Sequence, residues 1–320
     1  MSTEGGTRAI VAALAANIGI ALTKFLAYLL TSSSSMLAES IHSLADSGNQ
    51  ALLLIGGRRA QRAATPDHPF GYGRERYVYA FLVAVVLFSV GGLFALYEGF
   101  HKIRHPEPID SWKWVPIAVL LVAIGLESFS FRTAITESNH TRGDQSWVAF
   151  IRRAKAPELP VVLLEDFAAL IGLVFAFFGV VLTLLTDDGV WDGIGTVAIG
   201  ALLVCVAVVL AIETKSLLLG EGASKAAVTE IELALVADPR VDRVIHMRTL
   251  HLGPEELLVA AKIAVHHDDT AAEVARAIDA AEARVRAAVP ICRVIYLEPD
   301  IDRAGAARQS PAPEESPAPQ

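Results

Sequence analysis

Cysteine is nearly absent from this chain, which has two among 320 residues, Cys205 and Cys292. Their spacing supplies neither a thiolate metal site nor a disulfide framework. Charged residues are also scarce, at 19%, and the 35 acidic residues outnumber the 27 basic ones. Lys and Arg form no long tract. This balance argues against a nucleic-acid partner.

Nucleotide-binding motifs are missing as well. Gly71-x-Gly73 lacks the preceding strand and the third glycine of a dinucleotide loop, and no Walker sequence is present. The residues therefore do not support ATP-driven transport by this chain.

Hydrophobic residues, in contrast, make up 53% of the chain, and the mean hydropathy is +0.46. A helix needs about 20 apolar residues to cross a bilayer, and six segments approach that length. They predict a helical membrane domain with six transmembrane helices over residues 1–214, followed by a soluble domain over 215–302 and a tail over 303–320. The six segments are 9–30, 36–57, 77–101, 112–135, 159–185 and 191–213.

The second apolar segment carries Glu39, His42, Asp46 and Asn49 at spacings of three, four and three. On a helix these spacings place all four side chains on one face. A charged residue at the bilayer centre costs about 2.5 to 3.5 kcal/mol on insertion scales, so the ionisable groups should face protein and have a use. His and Asp four residues apart form half of a site for a divalent cation such as zinc. The alternative is hydrogen bonding between helices, which we prefer for Ser43, Ser47 and Gln50.

Basic residues set the expected orientation. They are concentrated in the links after the second and fourth segments, whereas the links on the other side carry acidic residues. The positive-inside rule then places both termini in the cytoplasm. The connection 31–35 becomes a short outer loop, and we expect its serines to be solvated. The basic residues of the first of these links are Arg58, Arg59, Arg62, Arg74 and Arg76.

The soluble part predicts an αββαβ order of elements. Apolar spacing indicates helices over 224–237 and 271–288, and alternation indicates strands over 241–252, 256–266 and 292–297. This order folds economically as one sheet covered on one face by two helices. The Ala, Pro, Ser and Glu residues of 303–320 predict a disordered tail.

These pieces together resemble the cation diffusion facilitator, or cation efflux, family. The resemblance lies in residues 34–39 leading into His42 and Asp46, the link 68–76, residues 96–99 before 106–108, and the turn 250–253 with 297–299. It implies a secondary transporter rather than an enzyme, exchanging a divalent metal ion for protons by alternating access. It also implies a homodimer, a ferredoxin-like cytoplasmic domain and no organic cofactor.

The resemblance further implies a metal site between the second and fifth helices. His42 and Asp46 match the family ligands on the second helix, and Asp166 matches the aspartate on the fifth. The expected histidine of the fifth helix is Val162 here. Glu165, next to Asp166, is the candidate fourth ligand, and the alternative is that it carries a proton or accepts a hydrogen bond. One His with three carboxylates is a harder ligand set than two His with two carboxylates. The site should therefore select zinc less strictly and also accept manganese, iron or cobalt.

Other polar groups in the apolar segments have supporting roles in this interpretation. Asn49, Asn17, Glu39 and Glu127 would hold the ligands in orientation or relay protons. Lys24 either pairs with Glu39 or extends to the membrane interface.

The soluble domain departs from the family pattern in its metal ligands. The positions that carry histidines in related domains are Lys262, Arg276 and Tyr296 here, while Glu298 keeps a carboxylate. Cations cannot bind metal, so we expect this cytoplasmic site to be lost and the domain to act in dimerisation. The run 266–269, His-His-Asp-Asp, is expected to be an exposed turn.

Two alternative functions remain open at this point. Val162 leaves room for a transport-inactive, modulatory membrane partner of a metal transporter. The serines near His42 and Asp46 leave room for an intramembrane hydrolase, although no nucleophile motif accompanies them. The lack of a targeting segment and the Ala- and Arg-rich composition suggest a bacterial cytoplasmic membrane.

Overall fold

The computed structural model describes residues 3–106, 109 and 112–301, with backbone alone for 3–16. The expected tail 303–320 lies outside the described residues. The chain divides into two compact units, Met1–Leu219 and Gly220–Gln320. The sequence placed this division at 214/215. The last helix of the first unit continues to Leu219, and Gly220 ends it with a φ of 109°, a conformation that glycine adopts without strain.

The first unit consists of helices. After the first two helices, one continuous helical stretch runs over Glu75–Arg104, and we call it the third helical rod. It contains a π-helical segment, Leu87–Leu93, between two α-helical parts. A short helix, which the hydropathy pattern did not predict, precedes α7. The α-helices are α1 Thr3–Thr31, α2 Ser34–Ala60, α3 Glu75–Val86, α4 Phe94–Arg104, α5 Trp114–Arg142, α6 Trp147–Arg153, α7 Glu158–Thr186 and α8 Val190–Leu219.

Four helical stretches in the described part of the chain are long and apolar enough to cross a membrane. The first helix contributes a shorter apolar stretch, Asn17–Thr31. Helix α2 is not among these four stretches, because its polar face lowers its mean hydropathy. Crossing by all six segments therefore stays a prediction. The four stretches are Glu75–Arg104, Trp114–Arg142, Glu158–Thr186 and Val190–Leu219.

Helix α8 packs closely against the third helical rod through glycines. A Cβ atom at Gly99 would lie 2.7 Å from the backbone nitrogen of Val197, and one at Gly200 would lie 2.7 Å from that of Leu96. Real side chains do not approach so closely. The absence of side chains at these positions lets the two backbones meet, as small residues do in membrane helix pairs.

Asp192, near the start of α8, is fully buried and binds the connection between α1 and α2. Its carboxylate accepts hydrogen bonds from Ser33 Oγ at 3.0 Å, from the Ser34 backbone nitrogen at 2.7 Å and from the Ser35 backbone nitrogen at 3.3 Å. The negative charge thus lies at the N-terminus of α2, where free N–H groups and the helix dipole favour an anion. The expectation that the serines of the connection 31–35 are solvated is wrong for Ser33, Ser34 and Ser35, which are buried, whereas Ser32 is exposed.

The second unit has the expected αββαβ order. Strands β1 and β2 pair antiparallel, and β2 and β3 pair parallel, so the sheet order is β1-β2-β3. The ferredoxin-like classification itself stays a prediction. The elements are α9 Lys225–Val236, β1 Val241–Gly253, β2 Glu256–Val265, α10 Ala271–Ala288 and β3 Cys292–Asp300.

The two helices of this unit share one core with the sheet. Ile231 and Leu235 of α9 and Val285 of α10 are fully buried beside Val259 of β2. Thr270 begins α10 with the capping box that its spacing from Glu273 predicts.

Asp238 follows the end of α9 and contacts two arginines, Arg240 in the same connection and Arg284 of α10. Its carboxylate accepts hydrogen bonds from Arg240 Nε and Nη2, both at 2.9 Å, and Arg284 Nη2 lies 3.3 Å away. The hydrogen bonds from Arg240 and the charges of both guanidinium groups hold the pKa of Asp238 well below its usual value.

We predict that Asp192→Asn lowers the thermal unfolding midpoint of the purified protein in detergent. The amide nitrogen cannot accept a hydrogen bond, so buried donors of the α1–α2 connection lose a partner, at a cost of about 1 to 3 kcal/mol. The matched control is Asp187→Asn, because this side chain is 73% exposed and its ion pair with Lys113 contributes little. Equal midpoints for the two variants would contradict the role given to Asp192.

A second prediction concerns Asp238→Asn. Because the folded-state pKa of Asp238 is lowered, its stabilising effect is present above the usual value of about 4 and is lost as the pH falls below it. The variant should therefore show faster hydrogen exchange in α9 and α10 at pH 7, and its difference from the wild type should narrow in acid.

The control for this experiment is Asp268→Asn, whose side chain is 87% exposed. Its exchange should match the wild type throughout. A difference between Asp238→Asn and the wild type that persists unchanged below pH 3 would contradict the proposed ionic interaction.

Candidate metal centre in the membrane unit

The polar face of α2 is buried at its centre. His42 is 1% exposed and Asp46 is 14% exposed, and His42 Nδ1 lies 3.5 Å from Asp46 Oδ1. Neither ring nitrogen of His42 has a hydrogen-bond partner, and Asp46 Oδ1 has none. Buried polar atoms are normally hydrogen-bonded. Three such atoms on two potential metal ligands make this pair the candidate position for a further ion or proton.

Helix α7 brings a second carboxylate to α2. Glu165 is buried, and its Oε1 accepts a hydrogen bond from Asn49 Nδ2 at 2.5 Å. Asn49 is also buried, one turn after Asp46 on α2. The contact fixes the rotation of both helices, because each polar side chain must face the other within an apolar layer.

Asp166, next to Glu165, is held from a different helix. Its Oδ2 accepts a hydrogen bond from Ser130 Oγ of α5 at 2.9 Å. Glu127 lies one turn before Ser130 on α5 and is partly buried. Sequence reasoning had not assigned Ser130 a role. Its spacing of three from Glu127 was the available signal.

Lys24 of α1 pairs with Glu39 of α2, one turn before His42. Lys24 Nζ lies 3.0 Å from Glu39 Oε2 and 2.8 Å from Ser43 Oγ. Both charged side chains are essentially inaccessible to solvent, at 1% and 0% exposure. Of the two alternatives for Lys24, pairing is therefore the one the structure adopts. Asn17 lies two turns before Lys24 on α1 and is half-buried.

These groups form one electrostatic cluster, which we call the membrane acidic cluster: Glu39, Asp46, Glu127, Glu165 and Asp166. Asp46 interacts electrostatically with Asp166 and Glu39, and Glu165 interacts with Asp46 and Asp166. No group of three or more His, Cys, Asp or Glu side chains converges closely enough to hold a metal ion in the part of the chain that the structure describes. The candidate ligands thus lie on two helices that are in contact, α2 and α7, without forming a closed coordination shell in the described residues.

Comparison with known proteins decides the family. Residues 10–219 match the model of the cation efflux transmembrane domain, well over half of the chain. The chain belongs to the cation efflux family. The expected resemblance is confirmed.

Individual relatives agree with the family assignment. A protein named proton-coupled zinc antiporter SLC30A9, mitochondrial, from Xenopus laevis is 31% identical over 82% of this chain and 47% of the relative. The Homo sapiens protein of the same name is 30% identical over 78% and 44%. Metal tolerance protein C4 from Arabidopsis thaliana is 29% identical over 82% and 58%. The chain thus spans about half the length of the curated relatives it matches.

A solved structure similar to part of this cation efflux chain is a variant of MamM-CTD. It covers 25% of this chain and 94% of its own, with 23% identity and a TM-score of 0.24. A score this low carries no argument about the arrangement of the second unit.

Val162 occupies the position at which the family resemblance leads to a histidine. It is half-buried and packs in a small apolar cluster with Ala134, Phe150 and Leu163. A valine there adds apolar contact and no ligand. Any fourth ligand of this cation efflux chain must therefore come from another position.

In the second unit, Lys262 occupies a position at which the family resemblance leads to a histidine, and at which no metal ligand was expected in this chain. Its Nζ lies 2.9 Å from Glu298 Oε1 and 3.1 Å from Asp300 Oδ2. The hydrogen bonds that Lys262 donates to these carboxylates raise its pKa, so the group stays protonated. A cavity of about 220 Å³ lies beside it, lined in part by His246 and Tyr296. The ammonium group thus occupies the place between the carboxylates that a metal ion would need.

The run 266–269 behaves as expected for an exposed turn. His266 and His267 are 51% and 72% exposed, and Asp268 is 87% exposed. His266 Nε2 is directed towards Asp242 at 3.4 Å, and His267 Nε2 towards Asp268 at 2.9 Å. The two rings therefore bind different carboxylates.

Proposed function

We propose that this chain exports a divalent metal cation from the cytoplasm in exchange for protons, by alternating exposure of one membrane site. Zinc is the expected cargo, with manganese, iron or cobalt as possible alternatives. The observation that carries the proposal is the pair of buried His42 and partly buried Asp46, with unpartnered ring nitrogens and an unpartnered, buried carboxylate oxygen. Membership in the cation efflux family and relatives named as proton-coupled zinc antiporters support it.

The proposed ligands are His42, Asp46, Asp166 and Glu165. A borderline ion such as zinc binds imidazole nitrogen and carboxylate oxygen at about 2.0 to 2.2 Å. Ser130 holds one oxygen of Asp166, which leaves the carboxylate a second oxygen for a metal ion. Small rotations of these side chains would close the coordination shell on an arriving ion. Asn17, Asn49, Glu39 and Glu127 would orient the ligands or carry protons.

Proton exchange follows from the chemistry of these ligands. Imidazole and carboxylates bind a metal ion only after losing their protons, so the arriving ion expels protons and protons expel the ion. The hydrocarbon layer strengthens this competition, because carboxylates without a cation or a proton are strongly disfavoured there. Alternate opening of the site to the two sides then couples metal and proton movement.

The same proposal includes the arrangement of the whole protein. All six apolar segments would cross the membrane, with both termini in the cytoplasm, as the basic links predict. The ferredoxin-like second unit would hold two copies together as a homodimer. A bacterial cytoplasmic membrane is the proposed location.

The role of Glu165 can be tested separately. Glu165→Gln keeps an oxygen that accepts the hydrogen bond from Asn49, so the helix contact should survive. If Glu165 is a ligand, zinc affinity of the purified full chain should fall by about tenfold or more, as expected for Asp166→Asn. If Asp166→Asn lowers zinc affinity and Glu165→Gln does not, Glu165 is not a ligand and acts only as a hydrogen-bond partner of Asn49.

Transport itself is tested in proteoliposomes containing the purified protein. An imposed proton gradient should drive zinc or manganese movement, and Asp46→Ala and Asp166→Ala should each abolish it, since each removes a ligand. The matched control is Asp187→Asn, which changes an exposed carboxylate outside the acidic cluster. Transport by Asp46→Ala and Asp166→Ala at the wild-type rate would refute the site.

The same assay separates the alternative function. A wild-type protein that binds zinc but moves none under any gradient would favour a transport-inactive, modulatory partner.

A further inference from the structure

Lys24 is a buried cation that the proposed transport mechanism does not use. Its side chain is 1% exposed, and its ammonium group donates to Glu39 Oε2 at 3.0 Å and to Ser43 Oγ at 2.8 Å. Both acceptors are on α2, one turn apart. The ammonium group therefore connects α1 to the face of α2 that carries His42.

Glu39 completes the arrangement on the side of α7. Its Oε1 has no hydrogen-bond partner and would lie 3.0 Å from a Cβ atom added at Gly172. The absence of a side chain at Gly172 thus leaves space for a carboxylate between α2 and α7. One oxygen of Glu39 binds Lys24, and the other faces the helix that carries Glu165 and Asp166.

The position of Lys24 gives its charge access to the candidate site. Ser43 is adjacent to His42 in sequence, and Glu39 lies three residues before it. The charge of Lys24 acts on His42, Asp46 and Glu127, and the charge of Glu39 acts on His42 and Asp46. In a region of low dielectric constant, a single charge close to a metal site changes the affinity of that site for a cation strongly.

We propose that Lys24 is a tethered cation that sets the affinity of the His42–Asp46 site for a divalent ion. At the ligands its positive charge offsets the negative charge of Glu39, and it repels a second positive charge near His42. This inference rests on the proposed function. It identifies a lysine–glutamate pair as the group that keeps binding weak enough for the ion to leave.

The test is the sign of the change in zinc affinity when the charges are removed one at a time. Equilibrium zinc binding is measured on the purified full chain at pH 8, with free Zn(II) buffered by a chelator. Lys24→Met leaves Glu39 uncompensated, and zinc should bind about tenfold or more tightly. Glu39→Gln leaves Lys24 uncompensated, and zinc should bind more weakly by a similar factor. Lys24→Met combined with Glu39→Gln should bring the affinity back towards the wild-type value.

A purely structural role cannot produce this pattern, because damage to helix packing weakens binding in both single variants. The matched control is Thr23→Val, beside Lys24 on α1, whose hydroxyl donates within its own helix to the Gly19 carbonyl oxygen. Weaker binding in both single variants, or no change in either, overturns the inference while the wild type still binds zinc. A wild type that binds no zinc refutes the proposed function, and the inference fails with it.

Discussion

The structure of the membrane unit depends on the free energy needed to keep carboxylates away from water. A charged carboxylate in an apolar layer is tolerated only with a proton, a cation or several hydrogen-bond donors beside it. The membrane acidic cluster contains five carboxylates, and Lys24 is paired with Glu39. Asn49 and Ser130 supply one hydrogen bond each to Glu165 and Asp166. This partial compensation favours binding of a further cation or of protons.

The arrangement of the helices serves the same requirement. Glycines bring α8 close to the third helical rod, and Asp192 of α8 binds the N-terminus of α2. Helix α2 is thereby fixed at one end, three turns from Asp46. The buried contacts between Asn49 and Glu165 and between Lys24 and Glu39 fix its rotation relative to α7 and α1. A polar helix in an apolar layer is held by specific partners because general apolar burial cannot orient it.

Local patterns predicted part of this structure well. The spacing of four between His42 and Asp46 placed both on one helix face, and the order of elements in the second unit followed from periodicity. The Asp192 network was missed because it joins residues about 158 positions apart, which no local spacing reveals. The π-helical segment Leu87–Leu93 was missed because its apolar composition does not distinguish it from an α-helix. The hydrogen bond between Ser130 and Asp166 likewise depends on how α5 packs against α7, which only the three-dimensional structure gives.

The two units treat cations in opposite ways. In the second unit, Lys262 supplies a permanent positive charge between Glu298 and Asp300, so the carboxylates need no metal ion. The membrane acidic cluster contains five carboxylates, and only Glu39 among them pairs with Lys24, while both ring nitrogens of His42 are unpartnered. A replaceable cation is therefore expected in the membrane unit.

The most direct test of this account is an anomalous-diffraction map of the full chain crystallised with zinc, recorded at the zinc edge. The account predicts a peak between α2 and α7, within about 2.0 to 2.2 Å of ligand atoms from His42, Asp46 and Asp166. A map with no peak there, and with zinc bound instead at the 266–269 turn or beside Lys262, would contradict it.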